Sequence, residues 1–482
     1  MIYLKDGFAQ WNAVKKLIAP TKLSAARAKL SLGFDSAAAD SLTLIYLVYL
    51  FTLPSCSVQK KIVNKAATGI AAIAQTAIFD KPEFKPAHVG IQLYDLQEKK
   101  IVYSYQDDKY FTPASNTKIF TCYAALKHLP DSILALEYLQ DDDEYAVRFT
   151  GDPTFLHPDF KNQRAYDFLL KNATAITFIN PQWKAQPFGS GWAWNDYDGD
   201  YAPERSPMPI YGNLVSFSKK GNTIRVVPKA FKDSLTIFSD ISDGKFDITR
   251  NWKTNQFEVV KSNQRFTNAN IPFTHEKEWS TLSIPLLEDT LNRVLHIASS
   301  LNKERSDWKK LYSQPTDSLL SIMMHRSDNF FAEQTLLMSG YQMHGWLDDT
   351  RTIDTLLKSD LAAIPDRPRW VDGSGLSRYN MMTPRSIVWV LDQIQQTAGW
   401  DRVKAIFATG NEGTLAGLYK NYNGKIFAKT GTLSNTVALS GYLFTKTGKQ
   451  LIFSVMVNAH QTGAGNIRRA IEQLITGIIE GN

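Results

Sequence analysis

Two cysteines in 482 residues leave little sulfur chemistry. Cys122 falls in a stretch expected to be buried and Cys56 follows an apolar run, so no disulfide is expected. The eight histidines show no His-x-x-x-His spacing, which argues against a metal site, and no cofactor is expected. Basic residues do not interleave with aromatics in the way a nucleic-acid surface requires, so no nucleic-acid partner is expected. The apolar run Leu42–Leu53 is too short to span a bilayer as a stable helix. The formal net charge of +7 is a mild excess, suited to an anionic polymer but weak as evidence.

What is present is a set of hydroxyl, amine and amide side chains in three short motifs. These are Ser115-Asn-Thr-Lys118, Ser327-Asp-Asn329 and Lys429-Thr-Gly431-Thr432. A serine with a lysine three positions on, a distant Ser-x-Asn and a late Lys-Thr-Gly together form an acyl-transfer set known from penicillin-binding proteins and serine β-lactamases. Each motif alone is weak. Ser-x-x-Lys recurs at Ser57, Ser216, Ser242, Ser300 and Ser306, and Lys446-Thr-Gly448 repeats the third motif.

Context separates the copies. Thr112-Pro113-Ala114-Ser115 breaks any preceding strand, and Lys118–Leu129 reads as a mostly apolar helix. Ser115 then occupies the first turn, where free N–H groups favour developing negative charge, with Lys118 on the same face. A solvated lysine after a capping serine is the plainer reading, but the apolar surroundings would make an idle charge costly there. Ser327-Asp-Asn329 lies between two helix-like stretches, on a short junction that can also cap the second helix. Lys429 follows a strand-like Gly424–Ala428, and Gly431 would let substrate backbone approach closely. Lys446-Thr-Gly448 sits between two further strands and reads as their hairpin turn.

With Thr150-Gly-Asp-Pro-Thr154, Gly191-Trp-Ala-Trp-Asn-Asp196, the stretch from Ser327 to Glu333, Asp372–Arg378 and Thr383-Pro384 added, the chain resembles the class C low-molecular-mass penicillin-binding proteins, D-alanyl-D-alanine carboxypeptidases and endopeptidases of peptidase family S13. The likeness runs from about Lys60 to the C-terminus. One stretch departs: Glu412-Gly-Thr-Leu415 stands where the family carries Asp-Gly-Thr-Leu with an arginine close behind. The resemblance implies an α+β fold, a five-stranded antiparallel sheet with helices on both faces, carrying a β-rich insertion. It implies a serine peptidase acting on peptidoglycan stem peptides, with β-lactams as covalent inhibitors and a periplasmic or cell-envelope location. The site it implies comprises Ser115 as nucleophile, Lys118 as base, Ser327 as proton relay and Asn329 on the substrate amide. Lys429, with Thr430 and Thr432, would receive the terminal carboxylate. Trp194 and Asp196, beside Trp192 and Tyr197, are candidates for lining a substrate pocket, against the plainer reading of a packed aromatic loop.

The 212 positions from Ser115 to Ser327 exceed what a compact β-lactamase places there. Short strands expected near 147–150, 175–178, 223–227, 235–238 and 257–260 suggest a β-rich insertion over 137–281, with the catalytic domain over 57–136 and 282–482. A β-lactamase, or a penicillin-binding sensor or wall-binding module without turnover, remain the alternatives. The long spacing weighs against the first and the intact motifs against the second. At the N-terminus, Leu53-Pro-Ser-Cys56 resembles a lipoprotein cleavage box, with Cys56 as the expected lipidated residue and 1–56 as leader, its start assigned too far upstream; a plain cleaved signal or an uncleaved anchor is the alternative. Removing residues 1–55 takes away six Lys/Arg and three Asp/Glu and lowers the charge from +7 to +4.

Overall fold

The computed structural model describes residues 69–172, 176–221, 223–239, 246–262, 266–301 and 305–481. The expected leader and Cys56 lie outside the described residues.

The main sheet joins the two ends of the described chain. His88–Asp95 forms a hairpin with Lys100–Tyr105 and also pairs with Gln450–Asn458. That late strand is followed across the sheet by Thr436–Phe444, Ile426–Leu433 and the two-residue Ala408–Thr409, every pair antiparallel. Five strands were expected; the sixth is the two-residue piece, too short to leave a periodic signature. Its pairing ends opposite Phe427 and Ala428, so from Lys429 onward this edge has no strand partner among the described residues. Lys446-Thr-Gly448 lies in the turn joining the last two strands, where Thr445 N–H donates to Lys449 O at 3.0 Å.

Both faces of the sheet are covered, which explains the nearly continuous apolar runs of its central strands. Ala438, Tyr442, Ile452 and Met456 face a core built with the helices Thr117–His128, Thr316–His325, Asn329–His344 and Pro384–Ile406. The alternate residues Val437, Leu439, Phe453 and Val455 face the closing helix Ala464–Gly481, through Ile467, Ile471, Leu474 and Ile478. None of the helices among the described residues is long and apolar enough to cross a membrane.

Between the serine helix and Thr316 the chain builds three further sheets around a separate core. One has five strands, from Ser132–Asp141 to Lys309–Pro315, and two have three. The expected limits of 137 and 281 fall inside the strand Ser132–Asp141 and the helix Ser280–Leu291.

Candidate active site

Ser115 lies in a single 3-10 turn, Ala114–Asn116, that leads directly into the serine helix. Backbone packing fixes this turn from two sides. A Cβ on Gly431 would lie 2.7 Å from Pro113 O and 3.2 Å from Ser115 N. This glycine therefore admits the serine turn, whereas the sequence suggested an approach by substrate. On the other side Gly375, at φ +84, brings its Cα so near Ala114 that a Cβ would meet the carbonyl at 1.9 Å. Asn116 ties turn to sheet: its Nδ2 donates to Lys429 O at 2.8 Å, and its Oδ1 accepts from Ser440 Oγ at 2.6 Å.

The helical spacing of three brings the Lys118 amine to its serine. Lys118 Nζ donates to Ser115 Oγ at 3.1 Å, Asn329 Oδ1 at 2.6 Å and Ser374 O at 2.7 Å. The side chain is fully buried, and loss of water lowers its pKa to about 8 against the attraction of Asp372, Glu333 and Asp328. The amine is therefore neutral in an appreciable fraction of molecules near pH 7.

Ser327 and Asn329 sit at the junction of two helices, as their flanks suggested. Asp328 caps the second helix, its Oδ1 accepting from Phe331 N–H at 2.9 Å. Ser327 takes φ +63, a left-handed conformation that turns the hydroxyl towards the sheet. Lys429 Nζ donates to Ser327 Oγ at 2.8 Å and to Thr430 O at 2.7 Å. Burial, and then the nearby Lys118 amine, hold the Lys429 pKa well below that of an ordinary lysine. Thus the Lys118 amine joins Ser115 to Asn329, the Lys429 amine holds Ser327 two residues away from Asn329, and the two amines are near enough for Lys118 to depress the charge on Lys429.

Strand alternation puts Thr430 and Thr432 on the face opposite Lys429. The Thr430 hydroxyl donates to Thr414 Oγ1 at 2.8 Å, so the divergent Glu412–Leu415 stretch packs on this strand. Thr432 Oγ1 accepts from Arg468 at 2.7 Å. Asp196 connects to the cluster indirectly: it accepts from the Tyr201 hydroxyl at 2.8 Å, and Tyr201 O accepts from Asn329 Nδ2 at 2.9 Å. Trp194 is 80% exposed, unlike the packed loop residue that was the alternative. A cavity of about 330 Å³ opens beside the junction, lined by His157, Asp200, Tyr201, Arg326 and Asn329. A larger one, about 670 Å³, lies against Tyr145, Ile176 and His296 and includes no motif residue.

The connections of a buried polar layer beneath the cluster escaped sequence reasoning, although Glu333 and Asp372 lie in stretches that it singled out. Glu333 accepts from Ser374 N–H at 2.8 Å and from Arg205 at 3.2 Å, while Arg205 also donates to Asp349 at 2.8 Å. Asp372 accepts from the N–H groups of Gly375 and Ser377, from Asn380 and from the Trp192 indole at 3.0 Å. These carboxylates hold the loop whose Ser374 carbonyl receives the Lys118 amine. Burial, reinforced by Asp372 and opposed by Arg205, raises the Glu333 pKa to about 7. The stretch Asp372-Gly-Ser-Gly carried a signal in the sequence; Arg205, in an irregular segment, carried none. No group of three His, Cys, Asp or Glu among the described residues is arranged to hold a metal ion.

Known proteins resemble this chain in sequence and in fold. The chain is 37% identical over 437 residues to a D-alanyl-D-alanine carboxypeptidase of an Actinomadura species, covering 80% of each. It is 22% identical over 428 residues to D-alanyl-D-alanine carboxypeptidase DacB of Haemophilus influenzae, covering 78% of this chain and 86% of that one. The crystal structure of penicillin binding protein 4 from Haemophilus influenzae has the same fold, with a TM-score of 0.66 at 19% identity, covering 86% of this chain and 100% of that one. The family model described as D-Ala-D-Ala carboxypeptidase 3 (S13) matches residues 71–251 and 291–477, well over half of the sequence, and the chain belongs to that family.

Proposed function

We propose that this protein is a serine D-alanyl-D-alanine carboxypeptidase that cleaves peptidoglycan stem peptides through an acyl-enzyme on Ser115 and is inhibited by β-lactams. The observation that carries this reading is the Lys118 amine, buried and 3.1 Å from the Ser115 oxygen. In its neutral form the amine accepts the hydroxyl proton as Ser115 Oγ bonds to the penultimate D-alanine carbonyl carbon. The N–H groups of Ser115 and Thr432 stabilise the oxyanion, a contribution of about 3 kcal/mol per donor.

The C–N bond then breaks. Ser327, hydrogen-bonded to Lys429, passes a proton to the leaving amine, and D-alanine departs. Water attacks the ester, its hydroxyl completing the carboxylic acid of the shortened peptide and its proton restoring Ser115, while the proton taken up by Lys118 replaces the one that Ser327 gave away. Substrate lies along the strand edge beyond Ala428, which lacks a strand partner, with its amide held by Asn329. Asp196 and Trp194 belong to the rim that the stem peptide crosses. Such a substrate places the protein in the cell envelope, with Cys56 as the lipid attachment point.

The test is to incubate purified protein with a stem peptide ending in D-Ala-D-Ala and, separately, with labelled penicillin. Release of D-alanine together with a slowly clearing label on Ser115 is expected. Label without cleavage of any D-alanyl bond would make the protein a sensor, and rapid penicillin hydrolysis would make it a β-lactamase.

A further inference from the structure

The reaction requires a lasting positive charge for the carboxylate at the substrate's end. Lys429 is poorly placed to supply it. Its amine is fully buried, is committed to Ser327 Oγ and Thr430 O, and shares its surroundings with a second buried amine. Two such amines resist being charged together, a condition suited to passing protons rather than to holding an anion.

A better cation lies at the same strand. We propose that Arg468 is the carboxylate-binding residue of this site, gripping the terminal carboxylate of the peptide together with the Thr432 hydroxyl. This rests on the carboxypeptidase reading above. Arg468 comes from the beginning of the closing helix, is exposed, and donates through Nη2 to Thr432 Oγ1 at 2.7 Å. That bond uses one of five N–H donors, leaving the planar fork available for a carboxylate.

Among the described residues no Asp or Glu forms an ion pair with Arg468, whereas the adjacent Arg469 is paired with Glu472 at 2.7 Å. The location is also right. Thr432 directly follows Gly431, whose Cβ position lies 3.2 Å from Ser115 N; its side chain leaves the other face of the strand, so the guanidinium flanks the unpaired strand edge one residue beyond the point where strand and serine turn meet, where the end of a peptide running past Ser115 would come. A guanidinium remains charged over the whole working range, which a buried amine does not.

The experiment compares two peptides that differ only at their end, one a free D-Ala-D-Ala acid and one its C-terminal amide, cleaved with enzyme in excess. The wild-type protein should favour the acid. Arg468→Gln should lose roughly tenfold in kcat/KM on the acid, mainly through KM, and little on the amide. Arg468→Lys should recover part of the preference. Arg469→Gln, which removes an equal charge nearby, should leave the acid-to-amide ratio unchanged. Equal losses on acid and amide would show a merely structural arginine, and no loss on either would also overturn the assignment. A wild-type protein that cleaves neither peptide overturns the carboxypeptidase reading itself.

Discussion

Replacing Lys118 with methionine retains most of the side-chain length and removes the amine in contact with the Ser115 hydroxyl. At pH 7 an amine at the ordinary value of 10.5 is neutral in about one molecule in 3,000, and one lowered to about 8 in about one in ten. Burial therefore raises the supply of neutral base roughly 300-fold. Because the base form is the deprotonated one, acylation of the wild-type protein by labelled penicillin should rise nearly tenfold per pH unit below 8. It should level off above that value. Lys118→Met should acylate roughly 10²- to 10⁴-fold more slowly at every pH, with the rising limb lost. The assay is the rate of covalent labelling from pH 6 to 9.5, with circular dichroism confirming that the variant is folded. A wild-type rate that is flat across this range, or a methionine variant retaining more than a tenth of the rate, would refute Lys118 as the base.

Three further substitutions probe the buried layer and the serine turn. Glu333 attracts charge onto Lys118, so Glu333→Gln should shift the rising limb of the same pH profile to lower pH; an unmoved limb would deny the coupling. Arg205→Met leaves Glu333 and Asp349 without their cation and should cost about 3–5 kcal/mol at pH 8, read from urea unfolding. Losing Arg205 pushes the Glu333 pKa above its value of about 7, so this loss should shrink as the pH falls towards 7 and Glu333 of the variant takes up its proton, and level off below that. Gly431→Ala sets a methyl group 2.7 Å from Pro113 O, and should cost roughly 1–3 kcal/mol and slow labelling of Ser115 about 100-fold. An alanine variant that labels at the wild-type rate would show that the serine turn can yield.

Much of the architecture was legible because local periodicity reported it. The apolar helix after Ser115, the strand leading to Lys429 and the two strands flanking Lys446-Thr-Gly448 all appeared near their expected positions. Several intervening strands, such as Leu214–Lys220 and Asn268–Pro272, were not anticipated. They are short and half-exposed, and their pairing depends on distant partners rather than on their own pattern.

The motifs themselves specified the reactive groups, because a serine and a lysine three apart on a helix must share a face wherever that helix packs. The sequence alone likewise limited the chemistry to hydroxyl, amine and amide side chains. Folding decided the rest. Burial sets how basic each of the two lysines is, and burial belongs to the packed environment rather than to the residue. The Arg205–Glu333 contact crosses 128 positions, and the meeting of Arg468 with Thr432 joins two elements paired by neither spacing nor pattern. The first forms because a closed core leaves polar groups few other partners, and the second because packing sets the closing helix beside the strand of Thr432; both constraints act only once the chain has condensed.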